Sequence, residues 1–406
     1  MRILLIHQNF PGQFKQLGTH LTTRRDVQVL GLGVTENVRA KTQIPGLQVV
    51  TYAQRPPVPD SKTHHYLREY ETAVRRGQDV ARLCMGLRQK GFVPDLVVAH
   101  PAWGESLFVK DVFPDARLVN YFEYFYQARG GDVGFDPEFP PTDDDLLRLR
   151  IKNSVNLQAL ASCDLGISPT QWQRSRYPQR SGTPIEVIHE GFDMGVYARR
   201  EDAAFVLPDG RRLTRDQKVL TFVARQLEPY RGFHTFMRAL PRILALDPAL
   251  QVVIVGGDKV SYGAMPKPPF KSWREVMQAE VPVTDPARVH FVGSQPYAAF
   301  LDLLQVSSVH LYLTYPFVLS WSLLEALASG CAVLGSDTAP VAEFIRHEDN
   351  GLLFPFFDQD AMVDGVHRLL TEDTQPMRQR AAQGVANTLD FRRHILPRLQ
   401  QVLGLP

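Results

Sequence analysis

Residues 311–343 read LYLTYPFVLSWSLLEALASGCAVLGSDTAPVAE, and this stretch restricts the fold more tightly than any other. Residues 310–313 are a short apolar run of β character. From Ser320 to Ala328 the apolar side chains Leu323, Leu324, Leu327 and Ala328 recur at helical spacing. Ser320 or Ser322 suits the N-cap of that helix, and Gly330 its end. Residues 332–334 read as a second buried strand and 336–339 as the turn after it. A strand that feeds a helix N-terminus presents backbone N–H groups and the positive end of the helix dipole, which together make a seat for phosphate. Glu325, about one turn further in, is placed to grip a ribose instead.

The same alternation runs through the chain. Residues 2–7 form an apolar strand, 9–14 its loop and 14–21 a helix. The loop lacks G-x-G-x-x-G, which disfavours a dinucleotide site and with it a dehydrogenase. Gly12 permits close approach of backbone to a ligand, or serves only the turn. Further strands are expected at 27–32, 47–52, 95–99, 118–121, 165–167, 185–188, 219–224, 251–255 and 290–293. The Pro-rich segment 55–60 reads as a loop. Residues 66–90 read as one long helix with Tyr70, Val74, Ala81, Cys84 and Leu87 on one face. One helix is expected over 143–161 and another from 168–174 with a Ser/Thr cap. A hairpin is expected over 205–214 around Pro208-Asp209-Gly210, a helix near 297–304, and an amphipathic helix over 392–403. The Pro- and Lys-bearing insertion 259–285 carries no assignment.

Ligands of open α/β sheets bind outside the carboxyl ends of the strands. His100 and Glu123 both follow such ends, and Glu123 stands among aromatics suited to stacking on sugar rings. His100 also reads as a helix cap or a satisfied buried group. A carboxylate among aromatics is costly unless it has a partner or a task. The loop 129–141, rich in Gly, Pro and acids, reads as an acceptor-recognition loop or as a plain connection. Arg225-Gln-Leu-Glu-Pro-Tyr-Arg231-Gly places two cations at the mouth of one strand, a phosphate clamp in chemistry.

A chain of 406 residues is long enough for two domains with their own cores. Basic and acidic residues number 45 and 43, so nucleic acid is not indicated as a partner. Cys84, Cys163 and Cys331 are widely spaced in apolar settings. They fit a reducing compartment, without a disulfide frame or a zinc site. Met1 leads directly into the first strand, and no apolar run approaches a membrane span, so a cytoplasmic protein is expected. Arg68, Arg75, Arg76, Arg82 and Arg88 on the 66–90 helix make peripheral contact with the inner face of the membrane one reading. Glu69, Glu71 and Asp79 dilute that charge and favour a solvated helix.

Taken together, these segments resemble the family-four retaining glycosyltransferases of the GT-B architecture. That resemblance implies an α/β fold of two Rossmann-like, doubly wound domains facing across a cleft. The expected domains are 1–195 on the acceptor side and 196–387 on the donor side, with a C-terminal helix at about 388–406 crossing back to the first. In the family a Glu opens the loop of the 311–343 stretch and a second Glu follows eight residues later. The second is Glu325, implied to hold the donor ribose, while Phe317 stands at the first-acid position and Val318 at the first loop glycine. Leu319, Ser320 and Trp321 stand where the family meets the donor phosphate or sugar. Arg225 and Arg231 match its Arg and Lys, which clamp the diphosphate. Gly12 matches the loop beneath diphosphate and sugar, and Gly293 lies near the base. His189-Glu-Gly-Phe-Asp193 matches the hinge, with Glu190 replacing an Asn.

The implied activity is transfer of a sugar from a nucleoside-diphosphate sugar, the co-substrate, to a hydroxyl of a glycan, lipid-linked or small-molecule acceptor, with retention. Arginines stand in for a metal, no other cofactor is expected, and the Asp-x-Asp metal motif of the other glycosyltransferase architecture is not evident. Glu123 and His100 are the catalytic candidates. The alternatives are a non-catalytic nucleotide-sugar-binding protein, motivated by Phe317, and a nucleotide-sugar 2-epimerase on the same scaffold.

Overall fold

A computed structural model describes residues 1–40, 43–54, 63–180 and 182–406, so the expected loop at 55–60 lies outside the described residues. The chain divides into two compact units. Unit 1 comprises Met1–Asp193 with Leu389–Pro406, and unit 2 comprises Met194–Thr388.

Unit 1 is built on seven strands: β1 (Arg2–Ile6), β2 (Gln28–Val34), β3 (Gln48–Tyr52), β4 (Leu96–Ala99), β5 (Arg117–Tyr121), β6 (Leu165–Ser168) and β7 (Ile185–Val187). Their order is β3-β2-β1-β4-β5-β6-β7, and all neighbours are parallel. The central strands are continuous apolar runs because helices cover both faces of a parallel sheet. Ile3 to Ile6, for instance, are all fully buried. Strand order reverses between β1 and β4, and a crevice for ligand forms at such a switch point. The loops beginning at His7 and His100 flank it.

Unit 2 begins with the expected hairpin, β8 (Phe205–Val206) against β9 (Arg212–Leu213). Its main sheet contains β10 (Val219–Gln226), β11 (Gln251–Gly257), β12 (Val289–Gly293), β13 (Val309–Tyr312), β14 (Val333–Ser336) and β15 (Leu352–Phe354). The order is β12-β11-β10-β13-β14-β15, again parallel throughout. Here the switch point lies between β10 and β13; Arg225 stands near the end of β10, and the loops that follow the two strands carry Leu227 to Arg231 and Leu313 to Ser320.

Two local expectations are corrected, and one unassigned segment gains a helix. The single helix over 143–161 is two, Asp143–Lys152 and Ser154–Ser162. At the joint the Asn153 side chain accepts from Tyr126 N (2.9 Å) and donates to Tyr126 O (2.7 Å), fastening the bend to the loop after β5. The long helix, Arg68–Gln89, buries Ala73, Gly77, Val80, Ala81 and Cys84, while Tyr70 and Val74 are not on its buried face. Small residues win because the loop after β4 comes very close. A β-carbon on Gly104 would stand 2.2 Å from the Ala73 carbonyl oxygen, and one on Gly77 would stand 2.7 Å from that of Gly104. The insertion 259–285 contains a helix, Trp273–Glu280, capped by Ser272, whose Oγ accepts from Glu275 N at 3.1 Å.

The returning segment joins unit 1 through backbone. Phe192 N donates to Leu389 O (2.8 Å) and Phe391 N to Phe192 O (2.9 Å). A turn of π-helix, Phe391–Ile395, then leads into the helix Leu396–Leu403. Among the described residues, no helix is long and apolar enough to cross a membrane.

Candidate functional site

In unit 1 the switch point assembles a chain of polar groups from three strand ends. The backbone N–H of Asn9 donates to Nδ1 of His7 (2.8 Å), which leaves the ring proton on Nε2. That Nε2 donates to Oε1 of Gln13 (2.6 Å), and the Gln13 amide donates to Oε1 of Glu123 (2.8 Å). Nε2 of His100, fully buried at the end of β4, lies 3.4 Å from Oε2 of Glu123. The His100 ring stacks on Trp103 at 4.4 Å between centroids and meets His7 edge-on at 5.0 Å. Glu123 keeps about a quarter of its side chain exposed. It is therefore a partly exposed carboxylate held by Gln13 beside a buried imidazole, suited to orienting a hydroxyl.

Gly12 is occupied from within the protein. Its φ is +50°, and an added β-carbon would stand 2.5 Å from the His7 ring. The close approach it permits is that of His7.

Beside this chain lies a second buried carboxylate. The Tyr121 hydroxyl donates to Oε1 of Glu190, and Nε2 of His189 lies 3.2 Å from its Oε2. Burial, and then Glu190, push the Tyr121 hydroxyl far above its ordinary pKa, so it remains a donor. Gly191 N fixes the His189 tautomer by donating to Nδ1 (3.0 Å).

In unit 2 the corresponding edge gathers the donor-side candidates. Arg225 is exposed near the end of β10. Arg231 is buried, and its Nη1 donates to Thr314 Oγ1 (2.7 Å) and to Val318 O (3.1 Å), while its guanidinium lies over the Tyr262 ring at 5.1 Å. These bonds cross the switch point and hold the cation two residues before the N-cap of the helix Trp321–Ala328. Ser320 is that cap. Its own N–H donates to the Tyr312 hydroxyl (2.9 Å), and its Oγ accepts from Ser322 N (3.4 Å). Leu319 is buried and Trp321 exposed. Gly293 closes β12 with φ +66°.

Glu325 is almost fully buried in the first turns of that helix. Its Oε1 accepts from the hydroxyls of Tyr297 (2.7 Å) and Tyr197 (3.2 Å), which lie 2.9 Å from each other. Burial first, and then the Glu325 charge, raise both phenols above their ordinary range. Phe317 packs into an aromatic group, 4.9 Å from Tyr262 and 5.6 Å from Tyr230 between ring centroids.

Sequence reasoning missed three contributors. His7 and Gln13 orient Glu123. Glu228, fully buried between the two arginines, accepts from the backbone N–H groups of Ser261, Tyr262 and Gly263, each at 3.2 Å. The only signal for Glu228 was an acid inside a cationic loop. Its partners lie more than thirty residues further along the chain.

Two parallel, doubly wound sheets with polar clusters at their switch points define the GT-B class. The comparisons with known proteins agree. The family described as "Glycosyl transferase family 4 group" matches residues 26–196, and "Glycosyl transferases group 1" matches residues 209–387. The chain belongs to the GT-B glycosyltransferases of the family-four type. It is 25% identical over 239 residues to a D-inositol 3-phosphate glycosyltransferase of Nocardia farcinica, covering 58% of this chain and 51% of that protein. A protein of the same name from Rhodococcus jostii is 26% identical over 221 residues, covering 53% and 44% respectively. The chain thus spans about half the length of the curated relatives it matches. Among solved structures, sucrose-phosphate synthase of Thermosynechococcus elongatus superposes with a TM-score of 0.75 at 16% identity, over 100% of this chain and 99% of that one. Anabaena HepE in complex with UDP-glucose superposes with a TM-score of 0.67 at 16% identity, with the same coverage. At these identities the likeness is one of fold.

Proposed function

We propose that the protein transfers a sugar from a nucleoside-diphosphate sugar to a hydroxyl acceptor, with retention at the anomeric carbon and without a metal ion. The observation that carries this reading is the bond from Arg231 to the Val318 carbonyl. It brings a fixed guanidinium to the mouth of the helix whose N-cap is Ser320, so a cation and a helix dipole converge where a diphosphate would leave. Arg225, exposed on the same strand end, is the second cation of the clamp.

In this reading Glu325 accepts from the donor ribose, with Tyr197 and Tyr297 holding the carboxylate in place. Leu319 to Trp321 and Gly293 complete the donor side. As the anomeric C–O bond breaks, the acceptor oxygen bonds to that carbon from the same face, and the acceptor proton passes to the departing phosphate. Glu123, oriented by Gln13 and flanked by His100, positions the acceptor or the sugar. Because HepE was solved with UDP-glucose, UDP-glucose is the first donor to test. D-inositol 3-phosphate is the first acceptor, after the name of the two relatives.

We place the protein in the cytoplasm. All three cysteines are buried and free. Burial pushes Cys84 and Cys331 up to about 12 and Cys163 to about 11. On the helix Arg68–Gln89, Arg75 pairs with Glu71 and Arg82 with Asp79, while Arg76 and Arg88 bond the carbonyls of Trp103 and Val112. These engagements favour a solvated helix over a membrane-binding face.

The test is release of UDP from UDP-glucose with a panel of hydroxyl acceptors, and the anomeric configuration of the product by NMR. An α-linked product from the α-linked donor supports retention, and a β-linked product overturns it. Binding of donor with no release under any acceptor would make this a nucleotide-sugar-binding protein. Release that needs no acceptor and yields an epimerised sugar would make it a 2-epimerase.

A further inference from the structure

Unit 2 contains a cavity of about 720 Å³ at the opposite end of its sheet from Arg225 and Arg231. Its wall includes Ser308, just before β13, and Gly330, between the helix Trp321–Ala328 and β14. It therefore opens at the amino ends of the strands. Three arginines line it, Arg199, Arg215 and Arg378, and no carboxylate does so among the described residues.

These cations are arranged rather than scattered. Arg378 is pinned by the carbonyls of Ser307 (3.3 Å), Ser308 (2.5 Å) and Gly330 (3.3 Å), and by Thr374 Oγ1 (2.9 Å). Arg215 is held by Gln305, through its carbonyl (2.7 Å) and its side-chain oxygen (2.5 Å). The remaining nitrogen of Arg215, Nη1, is shielded from solvent and has no hydrogen-bond partner among the described residues. The Glu201 carboxylate stands 3.8 Å from it and is itself four-fifths exposed. Burial, and then the neighbouring Arg199, hold Arg215 below the ordinary arginine pKa, opposed by Glu201 and aided by Arg378. Glu201 pairs with Arg199 (3.0 Å), but this carboxylate is four-fifths exposed and screened by solvent. The like charges of Arg215 and Arg378 deeper in the wall are therefore unfavourable unless a ligand brings a further counter-charge.

The rest of the wall says what that ligand carries besides charge. Gln379, Gln383 and Ser329 offer amides and a hydroxyl, and the Ser329 Oγ also lacks a hydrogen-bond partner among the described residues. The space is of the size that ordinarily holds a small molecule, and much more than a bare phosphate fills. Guanidinium groups match phosphate oxygens in pairs, and amides and hydroxyls match sugar hydroxyls.

We propose that this cavity binds a small phosphorylated polyol, with its phosphate gripped by Arg199, Arg215 and Arg378, at a site separate from the donor edge. The experiment is calorimetric titration of the full chain with glucose 6-phosphate, glucose and inorganic phosphate. Wild type, Arg199→Gln, Arg215→Gln and Arg225→Gln are compared, with melting temperature as the check on folding. The expected result is one glucose 6-phosphate per chain, weaker binding of phosphate, and none of glucose. Arg199→Gln and Arg215→Gln each weaken binding tenfold or more, and Arg225→Gln leaves it unchanged. Arg215→Gln cuts two bonds to Gln305, so if it fails to fold, the test rests on Arg199, which pairs with exposed Glu201. Absence of binding by the wild type at millimolar ligand overturns the proposal. So does binding that survives Arg199→Gln, and so does binding lost with Arg225→Gln.

Discussion

The imidazole of His7 fills the space over Gly12 where any other residue would carry its β-carbon, 2.5 Å away. Two loop positions that look independent in sequence are therefore one packing unit, and through Gln13 that unit aims Glu123. Gly12→Ala combines a left-handed backbone with a clash against a ring that cannot retreat without breaking its bonds. The expected loss is about 2–4 kcal/mol of stability, read as a fall in denaturation midpoint. Turnover should drop as well, because Glu123 loses its orientation. An unchanged midpoint would show that His7 can move aside.

Arg225→Ala should act on catalysis alone. The side chain is exposed, so the fold has little to lose, whereas removing a diphosphate contact costs on the order of 2–4 kcal/mol of transition-state stabilisation. Arg231→Ala should lower both kcat/KM and melting temperature, since it also vacates the bonds to Thr314 and Val318. Kinetics near wild type in both variants would remove the clamp.

Glu325→Gln keeps the shape but weakens charge-assisted bonds to ribose. A 2′-deoxyribose donor should be less discriminated against by this variant than by the wild type. Tyr297→Phe, which removes one of the two hydroxyls on Oε1, should move discrimination the same way by a smaller factor. Equal discrimination by all three proteins would make Glu325 structural.

Phe317→Glu should not improve the enzyme. The position is buried among Tyr230 and Tyr262, and an unpaired carboxylate there costs several kcal/mol. Melting temperature should fall without any rise in turnover. A marked rise in turnover would mark the wild type as a degraded enzyme.

His310, fully buried on β13 and bonded through Nδ1 to Thr221 Oγ1 (2.9 Å), has its pKa lowered by burial from 6.5 to about 4. The folded state thus holds a neutral ring where the unfolded state takes up a proton. Stability from this group is fully present above pH 6.5, declines as pH falls toward 4, and levels off below. The total loss is roughly 3 kcal/mol. Chemical denaturation across that window should show this slope, and His310→Asn should flatten it.

Most strands of both sheets were legible in the sequence because a parallel strand covered on both faces is an almost unbroken apolar run. The strand β15 was missed because Leu352 to Phe354 is too short to show any period. The helix in the insertion did leave a trace, Ser272-x-x-Glu275, overshadowed by the prolines before it. The placement of Arg225, His100 and Glu123 at the ends of their strands was legible, because each follows an apolar run. The site was not legible where a role depends on who arrives from elsewhere in the chain. Glu228 is explained only by three N–H groups of residues 261–263. The Phe317 environment is likewise assembled from Tyr230 and Tyr262. For Glu325, the sequence showed a helix position, and only the fold brought two phenols onto one oxygen.

The backbone bridge between Phe192 and Asp390 bears on the order in which the molecule is made. Unit 1 is written in two instalments, and all of unit 2 lies between them. On a translating ribosome, the seven strands of the first sheet emerge early, yet Phe192 must wait for Leu389 and Phe391 until the whole of unit 2 has been synthesised. Completion of the first unit therefore follows synthesis of the whole second unit, and a ribosome stalled anywhere within unit 2 leaves that docking surface bare.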